Sequence, residues 1–168
     1  RKQLVAIMDR YKLDLVSVSL FADGAAAAVV GAGPREEERT VYEVHGVTSQ
    51  LLANSSKDMY MYVLGDGSVT NVVSSRVPIF IGKGVSGFVD RILEGSGVSI
   101  DQCAMLCHPG GKTILETVEE KLGLTREQTA SSWTVLAEHG NMSGATNLQI
   151  ADHLRRSPNY LKYQWAVC

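Results

Sequence analysis

Two short polar motifs constrain this chain more than any other feature, and His108 anchors the first of them. The histidine ends the apolar run at residues 103–107 and is followed at once by a Pro-Gly-Gly turn. A short apolar run that ends in this way predicts a buried strand that presents an imidazole at its tip. The motif therefore places a titratable ring where a strand meets a loop, a common position for a functional side chain.

The second motif is built on Asn141, which follows Gly140 and lies just before Ser143 and a helical pattern. Gly-Asn before a helix start predicts a backbone corner that turns an amide into a pocket. If His108 and Asn141 aim at one point, they form a donor pair for a developing oxyanion. The alternative is a core histidine and a helix-capping asparagine, and the residue types alone leave both interpretations open.

Composition narrows the class of protein. The chain has 168 residues, of which 45% are hydrophobic and 20% charged, which predicts one globular domain with a real core. The net charge is −2 and there is no basic block, so we expect no nucleic-acid partner. No apolar run is long enough to span a bilayer and no signal peptide is evident, so we expect no membrane partner. The chain begins with Arg1 rather than Met, which predicts a trimmed or internal N-terminus.

The three cysteines indicate the compartment. Cys103 and Cys107 lie in the apolar run, as expected for reduced core thiols of a cytoplasmic protein, and Cys168 makes the set odd. A Cys-x3-Cys-His metal site ending at His108 is the alternative. No second pair of ligands supports it, so we predict no metal.

Besides the run at residues 103–107, hydrophobic periodicity predicts strands in five places. Small residues followed by Val29 and Val30 predict a closely packed buried strand, and partial alternation over residues 41–52 predicts a half-exposed one. Residues 59–64 and 69–74 predict two strands joined by a Gly-Asp-Gly-Ser hairpin turn. Residues 163–168 predict one more strand.

Four helices are predicted by apolar spacing and by end signals. The first begins at Pro78, and the second covers residues 112–122 and stops at Gly123. Thr125 and Gln128 form a predicted capping box before a third helix that reaches His139. The last helix starts at Ser143 and ends before a proline.

Several stretches together resemble the C-terminal half of the type III polyketide synthases, the chalcone/stilbene synthase family of the thiolase fold. They occur in the family's order and at close to its spacing over nearly the whole chain. The pair of His-Pro-Gly-Gly and Gly-Asn-Met-Ser motifs is the most specific part. The matching stretches are Leu-Phe-Ala-Asp-Gly-Ala-Ala-Ala-Ala-Val-Val-Gly from Leu20, Val77-Pro78, His-Pro-Gly-Gly-x-x-Ile-Leu from His108, Lys-Leu-Gly-Leu from Lys121 and Gly-Asn-Met-Ser from Gly140.

The resemblance implies a mixed α/β (α+β) fold, a thiolase-like half with a central mixed β-sheet covered by helices. It implies one domain over residues 1–168, without the catalytic N-terminal half. The implied activity is that of an acyltransferase of secondary metabolism that condenses malonyl-CoA with a CoA-linked starter by decarboxylative Claisen chemistry. The implied partners are malonyl-CoA, an acyl-CoA starter and a second copy in a homodimeric parent, with coenzyme A thioesters as substrates and no further cofactor.

The resemblance also assigns residues. His108 and Asn141 match the His and Asn of a Cys-His-Asn triad. Gly110 and Gly111 match the loop along the pantetheine arm of coenzyme A, while ordinary turn duty is the alternative. Ser143 matches a serine that lines the pocket, and Asn71 stands where plant members place an aromatic gatekeeper, so the pocket is expected to be more polar or larger there.

Departures from the family pattern keep two other functions open. None of the three cysteines lies in the motif of the nucleophilic Cys, and the basic residues that bind coenzyme A phosphates and the closing Gly-rich loop have no counterpart in these residues. The isolated chain is therefore expected to lack synthase activity. The alternatives are a non-catalytic partner or regulatory module with the thiolase fold, and half of a ketoacyl-ACP synthase-like condensing enzyme.

Overall fold

The computed structural model describes residues 19–67 and 69–168. Two short 3-10 helices, Ile100–Gln102 and Pro158–Leu161, accompany the regular elements. In chain order the regular elements are β1 (Met59–Val63), β2 (Val69–Val73), α1 (Val77–Leu93), β3 (Cys103–Met105), α2 (Lys112–Leu122), α3 (Ala130–His139), α4 (Gly144–Arg156) and β4 (Trp165–Val167).

The core is organised around β3, which pairs in parallel with β4. All three residues of β3 are buried, because helices cover both faces of this strand pair, as is typical of parallel strands. Alternate side chains divide between two apolar clusters. Ala104 and Leu106 pack with residues of α3 and α4, while Cys103 and Met105 pack with residues of α1 and β4.

The predicted helices are confirmed together with the signals that bound them. Pro78 lies in the first turn of α1, and Gly123 ends α2 in the left-handed conformation, with φ of 64°. The capping box before α3 is present, since the Thr125 N–H donates to Gln128 Oε1 over 3.0 Å and the Gln128 N–H donates to Thr125 Oγ1 over 3.4 Å.

Strands β1 and β2 form the predicted antiparallel hairpin, with Met61 opposite Asn71. Ser68, the last residue of the predicted turn, lies outside the described residues. All five side chains of β1 are exposed, so this hairpin buries little surface within the described part of the chain.

Two of the strand predictions are wrong. Residues 25–52 contain no strand, and Val29 and Val30, predicted to be buried, are almost fully exposed. A strand needs a neighbouring strand to satisfy its backbone groups, and no strand of the described residues pairs with this segment. Side chains hold its second half instead. The Tyr42 hydroxyl donates to Ala151 O over 2.7 Å, and the His45 ring meets the Trp165 ring edge-on at 5.0 Å between centroids.

The fold class is nevertheless the predicted one, a mixed α/β fold. Within the described residues the predicted central sheet takes the form of the β3–β4 pair between two helical layers, with the β1–β2 hairpin as a separate two-stranded sheet.

Candidate functional site

His108 lies three residues beyond the end of β3, because the strand predicted over residues 103–107 ends two residues earlier, at Met105. The Leu106 N–H donates to Val167 O over 2.8 Å, which holds the end of the strand against β4. Pro109 is fully buried, and the Gly110 N–H donates to His108 O over 3.0 Å to close the turn. The His108 side chain itself is exposed, so the alternative of a core histidine is wrong.

The His108 ring makes a side-chain contact that the sequence analysis missed. Its Nδ1 lies 3.1 Å from Oδ1 of Asn147, a half-buried residue in the first turns of α4. The contact links the loop after β3 to the helix that follows Asn141. A polar residue four positions after Ser143, on the same side of a predicted helix, was the available signal.

Asn141 is buried and forms the corner predicted for it. Its Oδ1 accepts the Ser143 N–H over 2.9 Å, an Asx turn that leads into α4. Because Oδ1 is engaged, Nδ2 is the group with which this amide would meet a substrate oxygen. The N-cap of α4 is Ser143, without a side-chain cap bond, so Asn141 turns the chain before the helix and does not cap it.

The segment at residues 20–22 borders both motifs. The Ala22 N–H donates to Asn141 O over 2.9 Å, and the Asn141 N–H donates to Leu20 O over 3.0 Å. On the other side, a Cβ placed on Gly111 would lie 3.9 Å from Cδ1 of Leu20. Leu20 thus lies between the loop that carries His108 and the corner that carries Asn141.

Two glycines of the site have backbone conformations that other residues rarely adopt. Gly111 begins α2 with φ of 146°, and Gly140 ends α3 with φ of 72°. A Cβ on Gly140 would also lie 3.2 Å from Ala22 Cβ. Gly110 is different, since a Cβ there would make only ordinary contacts, the nearest 3.5 Å from Ile114.

The remaining site predictions concern Ser143 and Asn71. Ser143 is exposed before α4 and has φ of 57°, an uncommon backbone conformation for a residue with a side chain. Asn71 is half-buried on β2. The pocket roles of Ser143 and Asn71, and the substrate roles of Gly110 and Gly111, stay predictions.

The cysteines of the chain are not poised as nucleophiles. Burial, with smaller contributions from the Cys168 thiol and the Glu119 carboxylate, raises the pKa of Cys107 to about 12. Burial also raises the pKa of Cys103 and of Cys168. Because the thiolate is the reactive form, Cys107 is not prepared for attack although it adjoins His108.

No cluster of three or more His, Cys, Asp or Glu side chains suited to a metal ion occurs among the described residues. All three cysteines are free thiols. In the same part of the chain, none of the helices is both long and apolar enough to cross a bilayer.

Comparisons with known proteins agree on one family. The family model of the chalcone and stilbene synthases, C-terminal domain, matches residues 43–166. A protein named probable polyketide synthase 1, from Dictyostelium discoideum, is 36% identical over 155 residues, which cover 89% of this chain and 5% of that protein.

A solved structure agrees in fold. The C-terminal type III polyketide synthase domain of Steely1, a type I/III hybrid from Dictyostelium, matches with a TM-score of 0.80 and 36% identity. The match covers 85% of this chain and 41% of the solved chain, so this chain spans less than half of either relative. By the match over residues 43–166 and the agreement in fold, the chain belongs to the chalcone and stilbene synthase family, in its C-terminal domain.

Proposed function

We propose that this chain supplies the His and Asn of a Cys-His-Asn site in an acyltransferase that condenses malonyl-CoA with a CoA-linked starter. The observation that carries the proposal is the junction of the two motifs. The His108 ring contacts Asn147 of α4, the helix that Asn141 introduces through its Asx turn, and Leu20 lies between the two loops.

The chemistry requires a site for negative charge. When the malonyl carboxylate leaves as carbon dioxide, the electron pair of the broken C–C bond forms an enolate, with charge on the thioester oxygen. That carbanion equivalent attacks the enzyme-bound starter thioester, forms the new C–C bond and releases the cysteine as a thiolate. Fixed donors on an oxyanion of this kind are typically worth about 3 to 4 kcal/mol each. Nε2–H of a protonated His108 and Nδ2–H of Asn141 are the donors proposed here.

The nucleophile is proposed to come from sequence other than that of this chain. Before a cysteine can attack the starter thioester and release the coenzyme A thiolate, it has to lose its proton, and a histidine base lowers the barrier by accepting that proton. Cys107 fits this role poorly because its pKa is raised to about 12. The isolated chain is accordingly expected to release no carbon dioxide from malonyl-CoA.

Substrate binding follows the assignments of the family resemblance. The backbone at Gly110 and Gly111 is proposed to lie along the pantetheine arm of coenzyme A. The backbone conformation of Gly111, with φ of 146°, supports a role in which a side chain would be unfavourable. Ser143 and Asn71 are proposed to line the acyl pocket, and no cofactor beyond the coenzyme A thioesters is proposed.

A chimera provides the test. This chain replaces the matching 41% of the solved Dictyostelium domain, and carbon dioxide release from malonyl-CoA and polyketide product are measured. His108→Gln and Asn141→Ala are expected to lower kcat by about 100-fold or more. The matched controls His139→Gln, at an exposed histidine, and Asn159→Ala, at a half-buried asparagine, are expected to stay within about twofold, since neither side chain belongs to the proposed site.

The outcomes separate the alternatives. A folded chimera that keeps its rate after His108→Gln would contradict the proposal. A folded chimera without activity on any thioester would favour the non-catalytic partner, and activity only on thioesters of acyl carrier protein would favour the ketoacyl-ACP synthase-like enzyme.

We further propose that the parent enzyme is a cytoplasmic homodimer of secondary metabolism. The free thiols support a reducing compartment, and the exposed apolar side chains of β1, such as Met59, Met61 and Val63, support a further interface. Light scattering of the complete enzyme tests the dimer, and a monomeric mass would count against it.

A further inference from the structure

We infer that Asn147 is a positioning residue that holds His108 as the Nδ1–H tautomer, with Nε2 free to accept a proton. The inference rests on the proposed function for its catalytic meaning, but the tautomer itself is a property of this chain. Its basis is the 3.1 Å contact between Nδ1 of His108 and Oδ1 of Asn147.

The position of Asn147 is fixed by its neighbours on α4. Thr146 is fully buried and its Oγ1 accepts the Met142 N–H over 2.9 Å, which ties the first turn of α4 to the corner at Asn141. Ile150, one turn further on, is also fully buried. Because both neighbours are packed into the core, the backbone of Asn147 has little freedom, and its amide is held against the loop after β3.

Donor and acceptor chemistry then sets the tautomer. An amide oxygen only accepts hydrogen bonds, so the Nδ1 that faces Oδ1 has to carry the proton. In a neutral ring, Nε2 then has the lone pair. This is the tautomer that takes a proton from a thiol on Nε2 and afterwards presents Nε2–H to an enolate oxygen, with Nδ1–H bonded to Asn147 throughout.

The neutral amide of Asn147 also suits a His108 ring that has to give up the proton it has accepted. A carboxylate at this position would stabilise the imidazolium through charge, whereas an amide orients the ring without adding charge. If the Asn147 amide were rotated by 180°, its Nδ2 would donate to Nδ1 of His108. The ring proton would then lie on Nε2, and Nε2 could not act as the base. The two orientations therefore make opposite predictions.

Nitrogen NMR of the 168-residue chain decides between them. The chain has four histidines, so ¹⁵N-histidine labelling gives a simple spectrum in which His108→Gln identifies the signals of His108. Spectra are recorded at about pH 8, where the imidazole of a model peptide is neutral. We expect a pyrrole-type Nδ1 and a pyridine-type Nε2 for His108. A pyrrole-type Nε2 in the unmodified chain would overturn the inference.

Three variants sharpen the test. Asn147→Leu removes the acceptor at similar volume and is expected to shift His108 toward the Nε2–H form, whereas Asn147→Asp keeps an acceptor and is expected to retain Nδ1–H. Gln149→Leu, on the same helix, is the matched control and is expected to leave His108 unchanged. His153, whose Nδ1 contacts Ser131 Oγ at 3.1 Å, reports whether α4 stays packed.

An unchanged His108 tautomer in a folded Asn147→Leu chain would overturn the inference. In the chimera, Asn147→Leu is expected to lower kcat by about 10- to 100-fold while KM for malonyl-CoA stays nearly constant, and Asn147→Asp to recover part of that loss. An inactive chimera would count against the proposed function alone, because the NMR result stands without activity.

Discussion

Residues 25–52 and residues 103–156 both contain apolar segments that predict strands, but the two regions have different structures. In the first region Val29, Val30, Val47 and Leu51 are exposed, and no strand or helix forms. In the second region β3 is entirely buried and three helices pack around it. The difference lies in where each region finds its hydrogen-bond partners.

A helix satisfies its backbone groups within one segment, whereas a strand depends on a neighbour. The helix over residues 112–122 could therefore be predicted from local signals. The run at β3 becomes a strand because β4 lies beside it, and the small residues before Val29 have no such strand among the described residues. The comparison teaches that apolar alternation predicts a strand only together with its partner.

The largest expected effect comes from the core of residues 103–156, the packed region. Ile150→Ala removes a fully buried side chain from the cluster between β3 and α4, and is expected to lower the free energy of unfolding by about 3 to 4 kcal/mol. Val29→Ala lies in residues 25–52, the extended region, and is expected to change the free energy of unfolding by less than about 0.5 kcal/mol. Urea unfolding followed by circular dichroism measures both.

If Val29→Ala lowers the free energy of unfolding as much as Ile150→Ala does, the contrast between the two regions is wrong. Such a result would mean that the extended region is buried in solution. Thermal unfolding at several protein concentrations would then show whether a second copy buries residues 25–52, because the unfolding temperature of a self-associating chain rises with concentration.

Much of the fold could be predicted because helix signals are local. The bounds of α2, the stop at Gly123 and the Thr125–Gln128 box all follow from residues within one or two turns of each other. The strand prediction at Val29 and Val30 failed for the opposite reason, since burial of a strand depends on residues distant in the sequence.

The same distinction applies to the site. The positions of His108 and Asn141 could be predicted from the sequence, because each residue lies beside glycines that mark the end of a strand or a helix. The contact of His108 with Asn147 joins residues 39 positions apart, so the helical spacing of Asn147 from Ser143 could mark Asn147 as a candidate but could not identify its partner. The roles of Ser143 and Asn71 depend on pocket walls and substrates, which local patterns do not define.

A second prediction compares two glutamines. Gln128 is buried, and its Nε2 donates to Ile100 O over 3.0 Å and to Cys103 O over 3.2 Å, which ties the start of α3 to β3. Gln128→Ala removes a donor from two backbone carbonyls and is expected to cost about 2 kcal/mol of unfolding free energy. Gln50→Ala, which breaks an exposed bond to Arg91, is expected to cost less than about 0.5 kcal/mol. Equal losses in urea unfolding would contradict the difference between the regions.

A third prediction concerns glycines. Gly140 has φ of 72° and a Cβ there would crowd Ala22, so Gly140→Ala is expected to destabilise the chain by about 1 to 2 kcal/mol. Gly31 lies in the extended region, where a Cβ placed on it would meet nothing within 4 Å, and Gly31→Ala is expected to be neutral. Thermal unfolding measures both, and a neutral Gly140→Ala would show that the corner before Asn141 relaxes easily.

The smallest expected effect tests how the extended region is held. Tyr42 donates its hydroxyl proton to Ala151 O on α4, and Tyr42→Phe is expected to cost about 1 kcal/mol near neutral pH, against almost nothing for Tyr60→Phe on the exposed hairpin. Burial, with a smaller contribution from Tyr160, raises the pKa of Tyr42 from 10.0 to about 12.

That shift gives the pH dependence a definite sign. Below pH 10 the tyrosine is neutral in the folded and the unfolded chain, so its contribution to stability is complete. Between pH 10 and about 12 the unfolded chain loses the proton first, and the contribution falls as pH rises. Urea unfolding of the unmodified chain and of the Tyr42→Phe variant is measured from pH 8 to pH 11. The difference between their free energies of unfolding should shrink as the pH rises. A difference that stays constant would mean that the Tyr42 hydroxyl is in contact with water and that the extended region is not held to α4 by this bond.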